Sequence, residues 1–481
     1  ISVNGQLQRF EPGTARFDSA FNAITSTLFT EGGSRFYDKS SLYHIQGEYK
    51  FTPRVMDITL GGNFRMYKPD SKGTIFQDTG DVLIRNREFG VYTGIEKKFI
   101  VKDSTDIYKS YFHGMLIGGV LSTALFIADK NTKPEMLALA AFLPTIFGIL
   151  NGIPGKEKNI KLNLTNRVDK NENYDYLFSP AISAVYSFNQ KQVMRASFSS
   201  AIRNPTLADQ YLYYRVTPLV LLVGNLSGFD SLVTLPSLLT AFNLPSPLNQ
   251  DTLEYFNVRP IQPESVKTIE AGYRATLFKS IYVDLAAYYS WYRNFIGYKI
   301  GASVDYVPQS NLFNVHHIYR VAANANDEVT TRGVAIGLNY YFRKFFMLNV
   351  NYSYNVLDRK GSTDPLIPAY NTPKNKYNIG FGGRDIDVTL FNKVHLHNFG
   401  FGINYKWVEG FEFEGSPQFT GYVPTYDFWD AQINYHARKI FTTFKAGASN
   451  LLDNRKFTVY GGPYSGRIAY VSILFELSHD K

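Results

Sequence analysis

No cysteine occurs in the 481 residues, which removes disulfides, thiolate metal sites, thiol nucleophiles and any lipid-modified cysteine of the chain's own. Catalytic signatures are missing as well. No Gly-rich phosphate loop follows a strand, no His-Glu-x-x-His sits on a helix, and no Gly-x-Ser-x-Gly elbow is present. The chain therefore reads as a non-enzyme without a cofactor. A basic block is also lacking: 50 Lys and Arg against 41 Asp and Glu leave +9, spread along polar stretches. That pattern offers no nucleic-acid site and suits anionic lipid headgroups or an anionic solute. The chain starts at Ile1 with no methionine or apolar leader, so an export signal is expected to have been removed or to lie outside this sequence.

A mean hydropathy of -0.19 is too polar for a bundle of membrane helices, yet aromatic residues make up 16%, with 35 Tyr and 38 Phe. Alternation reconciles the two. In Val266 to Phe278, Ile269, Ala271, Tyr273, Ala275 and Leu277 interleave with Thr268, Glu270, Gly272, Arg274 and Thr276. Ile281 to Phe295 repeats the rhythm, with Tyr289 and Trp291 closing the apolar face as an interfacial girdle would. Runs of about 10 residues match tilted strands that cross a bilayer, whereas globular strands average roughly 5 to 6. The fold class is all-β, an antiparallel transmembrane β-barrel.

Strands are expected at 1–8, 42–51, 57–67, 82–101, 160–167, 177–188, 193–202, 266–278, 281–295, 331–342, 347–355, 377–384, 394–412, 428–436, 443–450 and 467–477, about 16 in all. Connections alternate short and long. Pro53, Asn189 to Gln192, Lys279-Ser280 and Lys344 to Phe346 are short; Arg203 to Gln262, Gly301 to Glu328 and Leu357 to Lys374 are long. In outer-membrane barrels short turns are periplasmic and long loops extracellular, which places the chain's end in the periplasm. The closing strand sets Ala469, Val471, Ile473, Phe475 and Leu477 on one face, and the tail Ser478 to Lys481 departs from a terminal aromatic.

One segment breaks the pattern. Ser110 to Ala128 and Met136 to Gly155 carry no charge and are rich in Gly, Ala and Ser, flanking Asp129 to Glu135. Each is long enough to cross about 30 Å of hydrocarbon as a helix. The organisation is thus barrel strands over 1–102, an apolar helical hairpin over 103–158, and barrel strands over 159–481 with a large extracellular loop at 203–262. The hairpin is expected to contact membrane or a partner. Loop 203–262 is apolar for a surface loop (Leu219 to Val223, Leu232, Val233, Leu235, Leu238, Leu239) and is expected to fold over a ligand or partner, with Asp230 as a helix cap and Pro236 limiting that helix.

The face expected to line the lumen carries Glu48, Lys50, Arg65, Lys161, Arg195, Glu270, Arg274, Asp284, Asp430 and Lys445. His395 and His397 share a face that continues through Phe399 to Trp407, which reads as a membrane rim; His316-His317 reads as an exposed loop. No metal site is assigned to either pair.

Several motifs resemble those of a TonB-dependent outer-membrane receptor, of the Bacteroidetes-like type, over the C-terminal part of its barrel. They are Ser179-Pro180-Ala181, Arg203-Asn204-Pro205-Thr206, Pro263-Glu264, Glu270-Ala271-Gly272-Tyr273, Asn450-Leu451-Leu452-Asp453 and Gly466-Arg467. The resemblance implies 22 strands around an N-terminal plug, and energy-dependent import of a scarce, bulky nutrient. It also implies a bacterial outer-membrane location, lipid contact, and an inner-membrane energising complex reached through a plug that this sequence does not contain. About six strands are not visible, so the chain is expected to be part of a longer polypeptide or to be completed by another chain. A passive 16-stranded porin is the first alternative. The second is a non-transporting barrel subunit, with an outer-membrane or lipoprotein partner at loop 203–262 and hairpin 110–155.

Overall fold

The computed structural model describes residues 2–3, 6–7, 10–100, 158–243, 250–307, 312–358, 366–368, 370–390, 394–414 and 420–476. Its main body is one antiparallel sheet of 15 strands. In chain order these are β1 (Ser41–Phe51), β2 (Asp57–Lys68), β3 (Asn86–Ile100), β4 (Asn159–Asn171), β5 (Tyr174–Asn189), β6 (Gln192–Arg203), β7 (Glu264–Leu277) and β8 (Ile281–Arg293). The remainder are β9 (Val329–Phe342), β10 (Phe346–Asp358), β11 (Asn375–Leu390), β12 (Val394–Val408), β13 (Tyr426–Ala437), β14 (Thr442–Ser449) and β15 (Ile468–Phe475). Each pairs with its neighbours in sequence, and among the described residues no pairing joins β1 to β15.

Register explains why the sequence alternates. Across β6, β7, β8 and β9 one row of direct neighbours reads Met194, Tyr273, Leu285 and Ile336; the next row reads Val193, Arg274, Asp284 and Gly337. Leu285 and Ile336 stay 37% and 39% exposed, and Ile473 and Val471 of β15 reach 67% and 80%. Taking such a side chain out of water contributes about 1.5–3 kcal/mol, so a continuous outer face of this kind is built for lipid.

Aromatic belts mark both ends of the wall. At the end bearing the long connections, Tyr289 and Trp291 lie 4.8 Å apart, Tyr377 and Trp407 5.2 Å, and Tyr405 and Trp429 4.7 Å. At the short-turn end Phe342, Phe346, Phe381 and Phe401 stack in a chain with neighbouring centroids 5.3 to 6.4 Å apart. Such belts are where amphipathic rings meet headgroups. No described helix is long and apolar enough to cross a membrane, which says nothing of strands, and the apolar segment read as a helical hairpin lies outside the described residues.

Several sequence expectations need correction. Ser2–Val3 and Gln6–Leu7, within the expected strand 1–8, do not join the wall: Ser2 pairs with Leu7 and Val3 with Gln6 in a separate two-stranded sheet. Gly301 to Glu328 is largely not a loop, for Ile296–Val307 and Leu312–Asn324 pair as a hairpin. The run 394–412 splits, because the wall strand stops at Val408 and Phe411–Glu414 pairs with Thr420–Val423. Wall pairing of the run 82–101 begins only at Asn86. Asn294, with φ +54, ends β8 before Phe295. Ahead of β1 lies a helix, α1 (Ala15–Ser26), capped by Thr14.

The two longest described connections fold together. Strands Tyr213–Arg215, Val220–Val223, Phe229–Thr234 and Tyr255–Val258 join the hairpin of Ile296–Val307 and Leu312–Asn324 in a seven-stranded sheet, with Ile367–Pro368 at its side. Leu221, Val223, Leu232 and Val258 pack there on Val321 and Leu366. Val233 and Leu238 pack on Ala302 and Phe313. Most of the apolar residues of loop 203–262 that prompted expectation of a ligand or partner are thus buried in this outer sheet, while Leu219 and Leu239 stay exposed. Asp230 is an exposed strand residue and caps nothing. The helix α3 (Leu235–Asn243) starts on Thr234, whose Oγ1 accepts from the Ser237 N–H. Pro236 sits in its first turn, where a missing N–H costs nothing.

Candidate functional site

All ten charged residues expected on the lumen side share one face, since the register carries Glu48, Arg65 and Lys161 through to Asp430 and Lys445 without a change of phase. They do not form one site. Lys50 meets Asp57 at 3.7 Å and Lys161 meets Glu96 at 2.9 Å. Arg195 and Arg274 share Asp284 at 3.1 and 2.8 Å. Asp430 accepts from the Ser449 hydroxyl and the Asn450 N–H at 2.8 and 2.9 Å. Lys445 lies 5.6 Å from the Tyr470 ring, and Glu270 faces Ser197 and Tyr288.

Arg65 differs: it lines a cavity of about 510 Å³ at the long-loop end, on the same face. Asn63, Glu88, Arg167, Asp169 and Arg203 supply other walls, and Pro205 to Leu207 with Gln210 form the roof. Arg167 is held by Asp169 at 2.5 Å and donates to Asn63 at 2.7 Å. Its guanidinium lies 5.8 Å from the Tyr92 ring, and the Tyr92 hydroxyl donates to Glu48 at 2.6 Å, so Glu48 stands one residue behind the cavity. Arg65 makes no hydrogen bond or ion pair to the described residues. With Lys170 at the edge, four cations face two anions.

The roof is fastened by amides. After β6 the chain turns at Asn204-Pro205, and Thr206 and Asp209 form a capping box on the short helix α2 (Leu207–Tyr211). Gln210, 3% exposed, donates to the Pro205 carbonyl at 2.6 Å and accepts from Asn86 and Asn173 at 3.1 and 2.7 Å. Asn171 donates to Asn86 and Glu88, both at 2.8 Å, and Asn204 donates to Glu88 at 3.2 Å. A buried amide costs about 1–3 kcal/mol when left unpaired, so these bonds set the position of the roof.

The motif residues are brought together in two places. Arg203 meets Glu264 at 3.1 Å, and Glu264, 8% exposed, also accepts from the Ile296 N–H at 2.8 Å. Asn294 donates to the Pro263 carbonyl at 3.3 Å. At the far edge, buried Asn450 accepts from the Asn454 N–H and donates to the carbonyls of Asn454 and Ser465. Asp453 accepts from the Arg467 N–H at 2.8 Å, and a side chain at Gly466 would press on that carboxylate. That hydrogen bond, with Arg455 beside it, holds the Asp453 carboxyl below its usual value. Gly272 leaves room for Arg195: a Cβ there would fall 2.6 Å from its Nε.

The histidine readings change. His316 lies on a strand and meets Asp305 at 2.6 Å. His397 meets Asp387 at 2.8 Å, and the register shifts between Phe399 and Leu396, so its face does not run unbroken into Phe399. Among the described residues no group of three or more His, Asp or Glu could hold a metal. Arg167, Asp169, Asn171 and Gln210 escaped the sequence reading. Asp169 and Asn171 continue the two-residue rhythm beyond Arg167, where the expected strand stops.

A single antiparallel wall with a lipid-type outer face, two aromatic belts and a polar inner face defines the outer-membrane β-barrel class. A family model described as "TonB dependent receptor-like, beta-barrel" matches residues 4–451, and the chain belongs to that family, whose members are outer-membrane transporters. Its fold is similar to the siderophore receptor PirA of Acinetobacter baumannii, at TM-score 0.52 and 13% identity, covering 92% of this chain and 56% of that one. The ferric enterobactin receptor PfeA of Pseudomonas aeruginosa gives 0.52 and 13%, over 90% and 54%. The FrpB iron transporter of Neisseria meningitidis gives 0.50 and 10%, over 90% and 54%. The chain thus spans little more than half the length of these receptors. No curated protein matches it.

Proposed function

We propose that this chain forms wall and outer loops of a receptor that imports a bulky nutrient by energy-dependent transport, with the cavity beneath Pro205 to Gln210 as part of its ligand site. The long-loop end faces outside, the polar face lines the lumen, and a plug outside this sequence passes energy from the inner-membrane complex. The observation that carries the reading is Arg65, a cation without a partner among the described residues in a cavity where the other charges are tied. A ligand with anionic groups suits it, as the siderophore chelates named for the similar receptors would.

The test uses the full-length protein. Ferric enterobactin and a neutral oligosaccharide are offered as ligands to it and to Arg65→Glu. The receptor reading expects tighter binding of the anionic chelate, weakened about 10-fold or more by the charge reversal. Liposomes carrying the protein should not swell in arabinose. Rapid swelling would replace the receptor with a passive porin.

A further inference from the structure

The turns at the short-turn end carry a charge pattern that neither the wall nor the cavity requires. The five described turns there span 52–56, 190–191, 278–280, 343–345 and 438–441. Every one holds at least one cation, Arg54, Lys191, Lys279, Arg343 with Lys344, and Arg438 with Lys439, and none holds an acid. All seven side chains are exposed, and none is ion-paired to the described residues. Of the acids near the same end, Asp57, Glu96 and Asp387 are bound to Lys50, Lys161 and His397, while Asp385 and Glu476 stand outside the turns, which keep a net positive charge. At the opposite end the signs mix, as where Glu172 follows Lys170 and Asp453 neighbours Arg455.

Apolar side chains accompany the cations. Val55, Phe278, Phe345, Ile440 and Phe441 are 58%, 87%, 44%, 53% and 50% exposed, in four of the five turns. Three turns also take on backbone strain to keep them. Phe278 and Lys279 have φ +48 and +62, Arg343 and Lys344 have φ +49 and +62, and Phe441 has φ +53, a region where Gly or Asn is the ordinary choice. Large side chains are retained where small ones fit better, so the side chains themselves have a use.

We propose that this rim grips the anionic phospholipid headgroups of the periplasmic leaflet, the cations meeting phosphates while the apolar side chains enter the headgroup boundary. The leaflet rests on the orientation given above. The arrangement favours lipid over a protein partner because it recurs hairpin after hairpin, at intervals of about 10 Å, around the wall. A discrete partner would need one patch. Lipid surrounds the rim on all sides, and basic residues at an anionic surface are attracted in this way.

This chain holds no cysteine, so once any cysteine outside this sequence is replaced by serine, a single label reports on the rim. Full-length protein carrying Ser280→Cys, labelled with bimane, is placed in phosphatidylcholine bilayers containing brominated phosphatidylcholine or brominated phosphatidylglycerol. Ser280 lies beside Lys279, and the adjoining turn is tied to it by the Tyr341 N–H donating to the Ser280 carbonyl at 2.8 Å. Quenching by the anionic lipid should exceed that by the zwitterionic one about twofold or more, and the excess should vanish in Lys279→Gln/Arg343→Gln/Lys344→Gln. Salt near 0.5 M should also erase it, by screening. Equal quenching in the unsubstituted turns overturns the proposal, whether they then hold an acidic protein or nothing. An unchanged circular-dichroism spectrum shows that the triple variant folds. A membrane-impermeant maleimide that labels Ser280→Cys on intact cells would overturn the leaflet while leaving the lipid preference to be read separately.

Discussion

Arg195 crosses the bare α-carbon of Gly272 to reach Asp284, which a second cation, Arg274, already holds from the neighbouring strand. Gly272→Val puts atoms where the guanidinium lies and should cost about 1 kcal/mol, a partly exposed bridge being worth little more. Thermal unfolding in detergent measures it. The double variant with Arg195→Ala should lose no further stability, since the clash and the bridge vanish together.

Glu264→Ala removes a buried carboxylate that joins the wall to the outer sheet through Arg203 and the Ile296 N–H. Leaving that N–H unpaired costs about 1–3 kcal/mol. Hydrogen exchange should quicken in Ile296–Val307 and Leu312–Asn324 and stay unchanged in Thr442–Ser449, at the far side of the wall.

Gln210→Ala should loosen the roof of the cavity. Asn86 and Asn173 each lose an acceptor, so protection should fall over α2 and at the Glu172-Asn173 turn, with destabilisation of about 1–3 kcal/mol confined to that loop. Protection equal to that of the unsubstituted chain would mean that the amides do not set its position.

Asp453 should make the loop 450–467 sensitive to acid. Its carboxyl is held below the ordinary value by the Arg467 N–H and then by Arg455. A depressed carboxylate stabilises above its unfolded pKa and loses that contribution as pH falls through the folded one. The protection factor of the Arg467 N–H, taken against the intrinsic exchange rate at each pH, should fall on acidification, and Asp453→Asn should remove that fall.

Replacing Phe278-Lys279 by Asn-Gly should stabilise the hairpin by about 1–2 kcal/mol, because both positions are left-handed. Chemical unfolding in a neutral detergent, where no anionic headgroup is present, is the measurement.

The wall was readable because membrane strands leave no freedom: lipid on one side forces an apolar residue at every second position, and Met194, Tyr273, Leu285 and Ile336 obey it across four strands. The shared polar face followed from the same rhythm. The outer sheet was not readable. Val220–Val223 pairs in parallel with residues Ile318 to Val321, nearly a hundred positions later, and four residues are too few for a period to show. The cavity fell between the two regimes. At the end of β4 Lys170 stands at an alternate position that is itself charged and no longer contrasts with Asp169 and Asn171, so the pattern stops where the cavity residues begin. Gln210 reaches Asn86 only because the chain reverses at Pro205, which local pattern does not reveal.

Trp291, Trp407 and Trp429 are the chain's whole complement of tryptophan, and each lies in the belt at the long-loop end. Intrinsic fluorescence of this chain is therefore a depth gauge with a single fixed mark. Its emission follows the polarity of one leaflet's boundary and is blind to the other.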